Sequence, residues 1–161
     1  MTVQVSDGNG GTDTQAIVIT VTNVNEAPLI TSGAAVSATE NQTAATTVTS
    51  SDVDGGAPVY SIVGGADAAL FTIDAATGVL AFNAAPDFEL PSDAGADNVY
   101  DVTVQVADGN GGTATQAIAV TVSNVNEAPV ISSGAAVSVA ENQSGVVNVT
   151  SGDVDGGSPV W

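Results

Sequence analysis

The chain has 161 residues, 43% of them hydrophobic, which is enough apolar material for a core in one or two domains. It carries 18 Asp and Glu against no Lys, Arg or His, so no side-chain salt bridge can form and a net charge of −18 must be relieved by salt or bound cations. The same count excludes nucleic acid and anionic membrane surfaces as partners, because their phosphates are held by Lys and Arg.

Zero Cys removes disulfides, thiolate zinc sites and Cys nucleophiles together. No run approaches the ~18 unbroken apolar residues of a spanning helix, so no direct membrane insertion is expected. Read against itself at a shift of 101 residues, the chain repeats without a gap: residues 2–60 reappear as 103–161. Tandem identity of this kind points to an array of modules.

In chain order, the first segment carries TVQVSDGNGGTDTQAI, the counterpart of a clearer pattern further on, and ends at the first NVNEAP. Val36 and Val48 mark two weak strands, and Tyr60 and Ile62 another. Phe71 and Ile73 alternate before Asp74-Ala75-Ala76-Thr77-Gly78, and the strand pattern resumes over 79–82, which predicts a hairpin. Residues 84–98, with Pro86, Pro91 and DAGAD, read as a long acidic loop.

Tyr100, Val102, Val104 and Val106 are apolar at every second position, as are Ile118, Val120 and Val122 beyond the turn DGNGG. Period two on both sides of Asp-Gly and Asn-Gly predicts an antiparallel hairpin. After the second NVNEAP, Val137, Val139, Val147 and Val149 mark the counterparts of the two early strands more strongly. No stretch has a helical period.

About seven strands in about 100 residues is the size of a Greek-key sandwich, so an all-β fold is expected. Pro28 and Pro129 break the alternation and set the boundaries. Residues 1–27 are then the last two strands of a preceding module, 28–127 a complete module, and 128–161 the opening strands of a following one. Met1 stands where Val102 stands in the second copy, and Trp161 stands opposite Tyr60. The chain therefore reads as a piece of a longer repeat protein. The two partial modules could pair with each other, which the sequence leaves open.

Twelve acids fall at loops or boundaries: Asp7, Glu26, Glu40, Asp52, Asp54, Asp87, Glu89, Asp108, Glu127, Glu141, Asp153 and Asp155. Asp-Val-Asp followed by Gly-Gly puts two carboxylates at i and i+2 on a backbone free to curl, and Asp87-Phe88-Glu89 repeats that spacing. Each motif alone has a plain reading: a solvated turn for the aspartate pairs, a hairpin turn for Asp7 and Asp108, linker polarity for Glu26 and Glu127. Their combination in one repeat, in a chain with no cation of its own, points to metal binding. Oxygen ligands without His or Cys favour calcium.

The run from Phe71 to Leu80, Asp87-Phe88-Glu89, Tyr100-Asp101-Val102-Thr103-Val104, Ala107-Asp108 and the segment from Asn124 to Pro129 together resemble the cadherin repeat in its bacterial cadherin-like form. The resemblance implies a seven-stranded cadherin/Ig-like Greek-key sandwich with a calcium cluster at each module junction. It assigns the strand-A glutamate to Glu40, the Asp-x-Glu pair to Asp87 and Glu89, the linker to Asn126 and Glu127, and the next module's pair to Asp153 and Asp155. At the other junction Asn25 and Glu26 would meet Asp52, Asp54 and Asp108, without the preceding module's glutamates, so weaker binding is expected there.

The chain departs from the family in its linker, which is one residue shorter, in Phe88 where an arginine is usual, and in the added PSDAGAD.

Three functional classes follow. The first is a structural and adhesive module of an extracellular or cell-surface bacterial protein, with calcium stiffening contacts to neighbouring repeats and with homophilic contacts or a glycan or other cell-surface ligand as further partners. The second is a carbohydrate-binding module, for which Phe88 is the one loop aromatic, Tyr60, Phe71, Phe82 and Tyr100 being expected in the core. The third is catalysis by Asp87 and Glu89; short acidic loops look too solvated for acid-base work, and no enzyme is expected. Asn41, Asn142 and Asn148 stand in glycosylation tripeptides, which matter only in a host that uses them.

Overall fold

A computed structural model describes residues 1–145, 147–157 and 160. Thirteen strand segments run in order: β1 (Thr2–Ser6), β2 (Thr12–Ala16), β3 (Leu29–Ile30), β4 (Ala35–Thr39), β5 (Ala44–Thr47), β6 (Ser50–Ser51), β7 (Val59–Gly64), β8 (Phe71–Ile73), β9 (Val79–Phe82), β10 (Val99–Ala107), β11 (Thr113–Ser123), β12 (Val130–Ile131) and β13 (Ser151–Gly152). A 3-10 turn, Ala68–Leu70, precedes β8. Among the described residues no helix is long and apolar enough to cross a membrane.

The nine segments β3 to β11 reduce to seven strands, because β3 and β4 are one strand that changes sheets and β5 and β6 one strand with an irregularity. One sheet has the order β4-β11-β10-β7, the other β5-β9-β8, with β3 paired to β6. The first strand leaves β6 after Ile30, bends through Ser32 and Gly33, and joins β11 in parallel, Ala35 opposite Ala119 and Thr39 opposite Ser123. Chain order and spatial order differ as in a two-sheet Greek key.

Both predicted hairpins form. In the first, Asp74 Oδ1 accepts from the backbone N–H groups of Ala76 and Thr77 and from Thr77 Oγ1, closing the turn between β8 and β9. Gly78 is required there: its φ is 71°, and a Cβ would stand 2.2 Å from the Val48 carbonyl oxygen. In the second, β10 pairs with β11 over the whole length of β10, from Val99·Thr121 to Ala107·Thr113.

In the complete module alternation puts one face of β7 to β11 inside. Tyr60, Phe71, Leu80, Phe82, Tyr100, Val102, Val104, Val106, Ile118, Val120 and Val122 are buried together, each large side chain contributing roughly 1.5–3 kcal/mol by leaving water. Phe71 and Phe82 stack at 4.5 Å between ring centroids, and Tyr100 meets both edge-on. The Tyr100 hydroxyl accepts the Ser92 N–H at 3.3 Å, so the buried ring keeps its polar end satisfied.

The flanking segments are thinner than the sequence pattern predicts. Strand β2 ends at Ala16, although residues 17–22 carry the alternation of residues 118–123, which β11 uses in full. Among the described residues the strands expected at Val137, Val139, Val147 and Val149 do not form, and the two-residue pair β12·β13 is the pairing present there. Each flanking segment pairs with itself alone, β1 with β2 and β12 with β13, so the two do not form a shared sheet. Period two makes a strand only where a partner strand satisfies its backbone and covers its apolar side. Trp161, the counterpart of Tyr60, lies outside the described residues.

Candidate metal centre

Strand β4 ends at Thr39, and the next residue, Glu40, is 1% exposed. Both of its carboxylate oxygens are occupied: Oε2 accepts the Phe88 N–H at 2.8 Å and Oε1 the Val125 N–H at 2.7 Å. One buried carboxylate thus ties the loop after β9 to the chain leaving β11. Asn41 follows with φ of 62°, and its side-chain amide donates to Glu127 Oε1.

Around this anchor, carboxylate oxygens of Glu40, Glu89 and Glu127 all lie within 4.8 Å of one another. They come from a strand end, a loop and the linker. Asp155 closes the group from the following segment: Oδ2 accepts the Glu127 N–H at 2.6 Å, and Oδ1 accepts from the Asn124 amide, which also donates to Glu89 Oε1. Burial, then the facing charges of Glu40, Asp155 and Asp87, push Glu89 above the ordinary carboxylate range. Burial, then Glu40, Asp155 and Glu89, do the same to Glu127, opposed by its Asn41 bond. Asp155 is held low by its bond from Asn124 and then by the Glu127 N–H.

A second group lies at the other end of the sandwich. The Asn25 amide donates to Asp108 Oδ2 at 2.7 Å, the Glu26 N–H donates to Asp54 Oδ2 at 2.7 Å, and Asn23 donates to Asp54 Oδ1. Asp54 is held low by these bonds, the Glu26 N–H first; Asp108 is held low by Asn25 and by the Asn110 N–H. Glu26 is pushed up by its contact with Asp54 and by the Asp54 and Asp52 charges. A shallow hollow beside this group is lined by Pro28, Asp52, Gly56 and Asp108.

The two groups share one geometry across the repeat. Asn23 on Asp54 and Asn124 on Asp155, or Glu26 N–H on Asp54 and Glu127 N–H on Asp155, are the same bonds 101 residues apart. Their difference is that only the group near Pro129 has glutamates from the complete module.

Asp87, Asn126 and Asp153 stand at its edge. Asp87 Oδ1 accepts the Leu90 N–H, the Asn126 amide donates to the Glu127 carbonyl, and Asp153 Oδ1 accepts the Asp155 N–H. Glu141, the counterpart of Glu40, is exposed.

Two kinds of residue escaped the sequence reading. Asn41 and Asn124 supply amide donors to the acidic group, and the repetition of Glu-Asn-Gln for the one and of NVNEAP for the other was their only signal. Asp67 and Asp93 are buried and close the added loop: Asp67 accepts from the Ala94 and Asp101 N–H groups, Asp93 from those of Asp97 and Asn98. The loop is thereby folded on itself, and Glu89 keeps its place beside Glu127. Phe88 is half-buried against the core and offers no projecting aromatic platform.

The donor set fits a hard cation. Glu127 Oε2 and Asp52 Oδ2 are buried without a hydrogen-bond partner. Converging carboxylates in a chain without Lys, Arg or His leave those lone pairs unmatched by any protein cation. Oxygen-only ligands at irregular spacing match calcium's preferences.

Comparison with known proteins agrees with this architecture. Residues 25–121 match the family described as Bacterial Ig domain, and the chain belongs to that family. Among solved structures it is similar to human protocadherin-24 EC1-2 (TM-score 0.58, 24% identity, 83% of this chain and 62% of that one). It is likewise similar to protocadherin gamma B2 extracellular cadherin domains 3-6 (0.61, 22%, 91% and 40%) and to Drosophila N-cadherin EC1-4 (0.55, 19%, 83% and 35%). The chain spans less than two thirds of each of these relatives. A comparison with curated proteins finds no match. The fold is a bacterial cadherin-like, Ig-like repeat domain.

Proposed function

We propose that the chain is a calcium-binding structural and adhesion module of an extracellular or cell-surface repeat protein, with residues 28–127 as the complete module between partial modules 1–27 and 128–161. The observation that supports it best is the convergence of Glu40, Glu89 and Glu127, from three separated segments, in a chain with no cation. Glu40, Asp87, Glu89, Asn126, Glu127, Asp153 and Asp155 would hold calcium near Pro129. Asn25, Glu26, Asp52, Asp54 and Asp108 would hold it more weakly near Pro28, lacking counterparts of Glu40 and Glu89.

Calcium supplies divalent charge that offsets the repulsion among these acids. The protein residues do the positioning. Glu40 fixes the loop and the linker in one frame, Glu127 carries the linker's carboxylate into it, and Asp155 attaches the following segment through the Glu127 N–H. With the charges offset, linker and neighbours are held as a stiff rod that presents its surface to another array or to a cell-surface ligand. Binding to the folded junction alone also raises stability by mass action.

Small-angle scattering and thermal melting in chelator and in millimolar calcium test this. Elongation and a higher melting temperature are expected with calcium; no change in either refutes the reading.

A further inference from the structure

The turn between β10 and β11 reads Asp108-Gly109-Asn110-Gly111-Gly112, and Asp108 holds it closed. Its Oδ1 accepts the N–H groups of Asn110 at 2.7 Å and of Gly112 at 2.9 Å, an aspartate turn. The Gly111 N–H between them faces the same carboxylate more weakly, outside hydrogen-bonding geometry. Gly111 has a φ of 107°, and a Cβ added there would meet nothing within 4 Å.

Asparagine side chains elsewhere in the complete module and its linkers are occupied. Of the eight asparagines between residues 23 and 126, seven donate the side-chain amide to a carboxylate or a carbonyl, Asn41, Asn98 and Asn124 among them. Asn110 is the exception: it is exposed, and its side chain makes no hydrogen bond among the described residues. It is also the one of the eight that glycine follows. Asn9-Gly10 repeats the arrangement, with Asp7 Oδ1 accepting from Asn9 and Gly11 and with Gly10 at a φ of 102° in open space.

We propose that Asn110-Gly111, and Asn9-Gly10 with it, is a site of self-modification at which the chain's own backbone converts the asparagine to aspartate and isoaspartate. The Gly111 nitrogen gives up its proton and attacks Asn110 Cγ. A cyclic imide closes, and the side-chain nitrogen takes up a proton and leaves as ammonia. Water then opens the ring: cleavage between Cγ and the nitrogen gives aspartate, and cleavage between the backbone carbonyl carbon and the nitrogen gives isoaspartate. Water is the co-reactant, and nothing is oxidised or reduced. Asparagine is the thermolabile residue here, glycine leaves the attacking nitrogen unhindered, and a free amide can turn toward it. The seven held amides must first break a hydrogen bond.

The modification acts on the linker. A Cβ on Gly112 would stand 2.9 Å from Ala27 Cα, and Asp108 Oδ2 accepts the Asn25 amide at 2.7 Å, so the turn is seated on the segment before Pro28. Isoaspartate adds a main-chain carbon between the two N–H groups that share Asp108 Oδ1. Both can then no longer reach it, and the seat loosens with age. One corollary, that calcium near Asn25 and Glu26 is weakened in step, rests on the calcium reading above.

The test incubates the chain in mildly alkaline buffer with chelator and follows each asparagine by peptide mapping and isoaspartate detection. Conversion at Asn110 and Asn9 should outrun every other asparagine at least tenfold, with ammonia released in step. The rate at Asn110 should lie within about tenfold of that in a synthetic peptide of residues 104–116. In an Asn9→Gln chain the melting temperature should fall as isoaspartate accumulates at Asn110. Fresh Asn110→Asp, which adds the charge without the extra carbon, should fall less. Conversion more than about a hundredfold slower than in the peptide, or equally fast at the held asparagines, overturns the proposal, and an isoaspartate form that melts like fresh protein overturns the loosening. Calcium binding near Pro28 that is absent from fresh protein counts against the calcium reading alone, since the conversion is measured in chelator.

Discussion

Val120 and Ile19 occupy the same place in the repeat, yet one is fully buried and the other 71% exposed. Val122 and Val21 differ in the same way, as do the eleven-residue β11 and the five-residue β2. The local sequence is nearly the same in both copies, so the difference lies in the surroundings. In the complete module β11 has β10 on one side and β4 on the other; in the first segment only β1 is present. Strand formation here is a property of the assembled sheet, with alternation serving as a necessary condition.

Paired substitutions in the two copies break this comparison most sharply. Val122→Asp places an unpaired charge in the core and should cost at least ~3–4 kcal/mol, enough to unfold the module or nearly so. Val21→Asp, measured in dilute chelator, should stay within about 0.5 kcal/mol. Equal effects in urea denaturation would show that the first segment is packed as fully as the complete module.

Glu40 and Glu141 make a second pair. Glu40→Gln removes charge from a buried carboxylate that accepts two backbone N–H groups and replaces one acceptor with a donor, an expected loss of about 1–3 kcal/mol. Glu141→Gln is expected to leave thermal melting of the metal-free monomer unchanged. Gly78→Ala sharpens the argument within the module: its Cβ meets the Val48 carbonyl at a positive φ, and a loss of about 1–3 kcal/mol is expected.

The smallest effect is a pH dependence confined to chelator. Glu89 and Glu127 titrate in the fold above their ordinary 4.5, so their contribution to stability is present below that value and lost as pH rises through the raised folded pKa. Asp155, Asp54 and Asp108 titrate below their ordinary 3.8, so their contribution is present above it and lost at lower pH. Metal-free protein should therefore melt highest in mildly acidic buffer. A melting temperature that rises steadily from that range to neutral pH would contradict the assignment of repulsion to the glutamates.

The core and both hairpins were legible because Tyr100 to Val106 and Ile118 to Val122 alternate strictly and the turns between strands carry Asp-Gly, Asn-Gly or Asp-Ala-Ala-Thr-Gly. The two-sheet path of the first strand was not, since nothing at Ser32 and Gly33 distinguishes a sheet change from a bend. Glu40 and Glu127 were legible by repetition, and Glu89 by its Asp-x-Glu spacing with Asp87. Asn41 and Asn124 were not, because an amide's role depends on what it faces across the fold. Asp67 and Asp93 were missed for a related reason: their partners are backbone N–H groups that only the closed loop presents.

The central claim is that the glutamates near Pro129 hold calcium. Metal content by mass spectrometry after dialysis against calcium, compared between the unmodified chain and a Glu89→Gln, Glu127→Gln double variant, tests it most directly. Calcium should be retained by the former, with at least one ion fewer in the latter. No retained calcium, or the same amount in both, would contradict it.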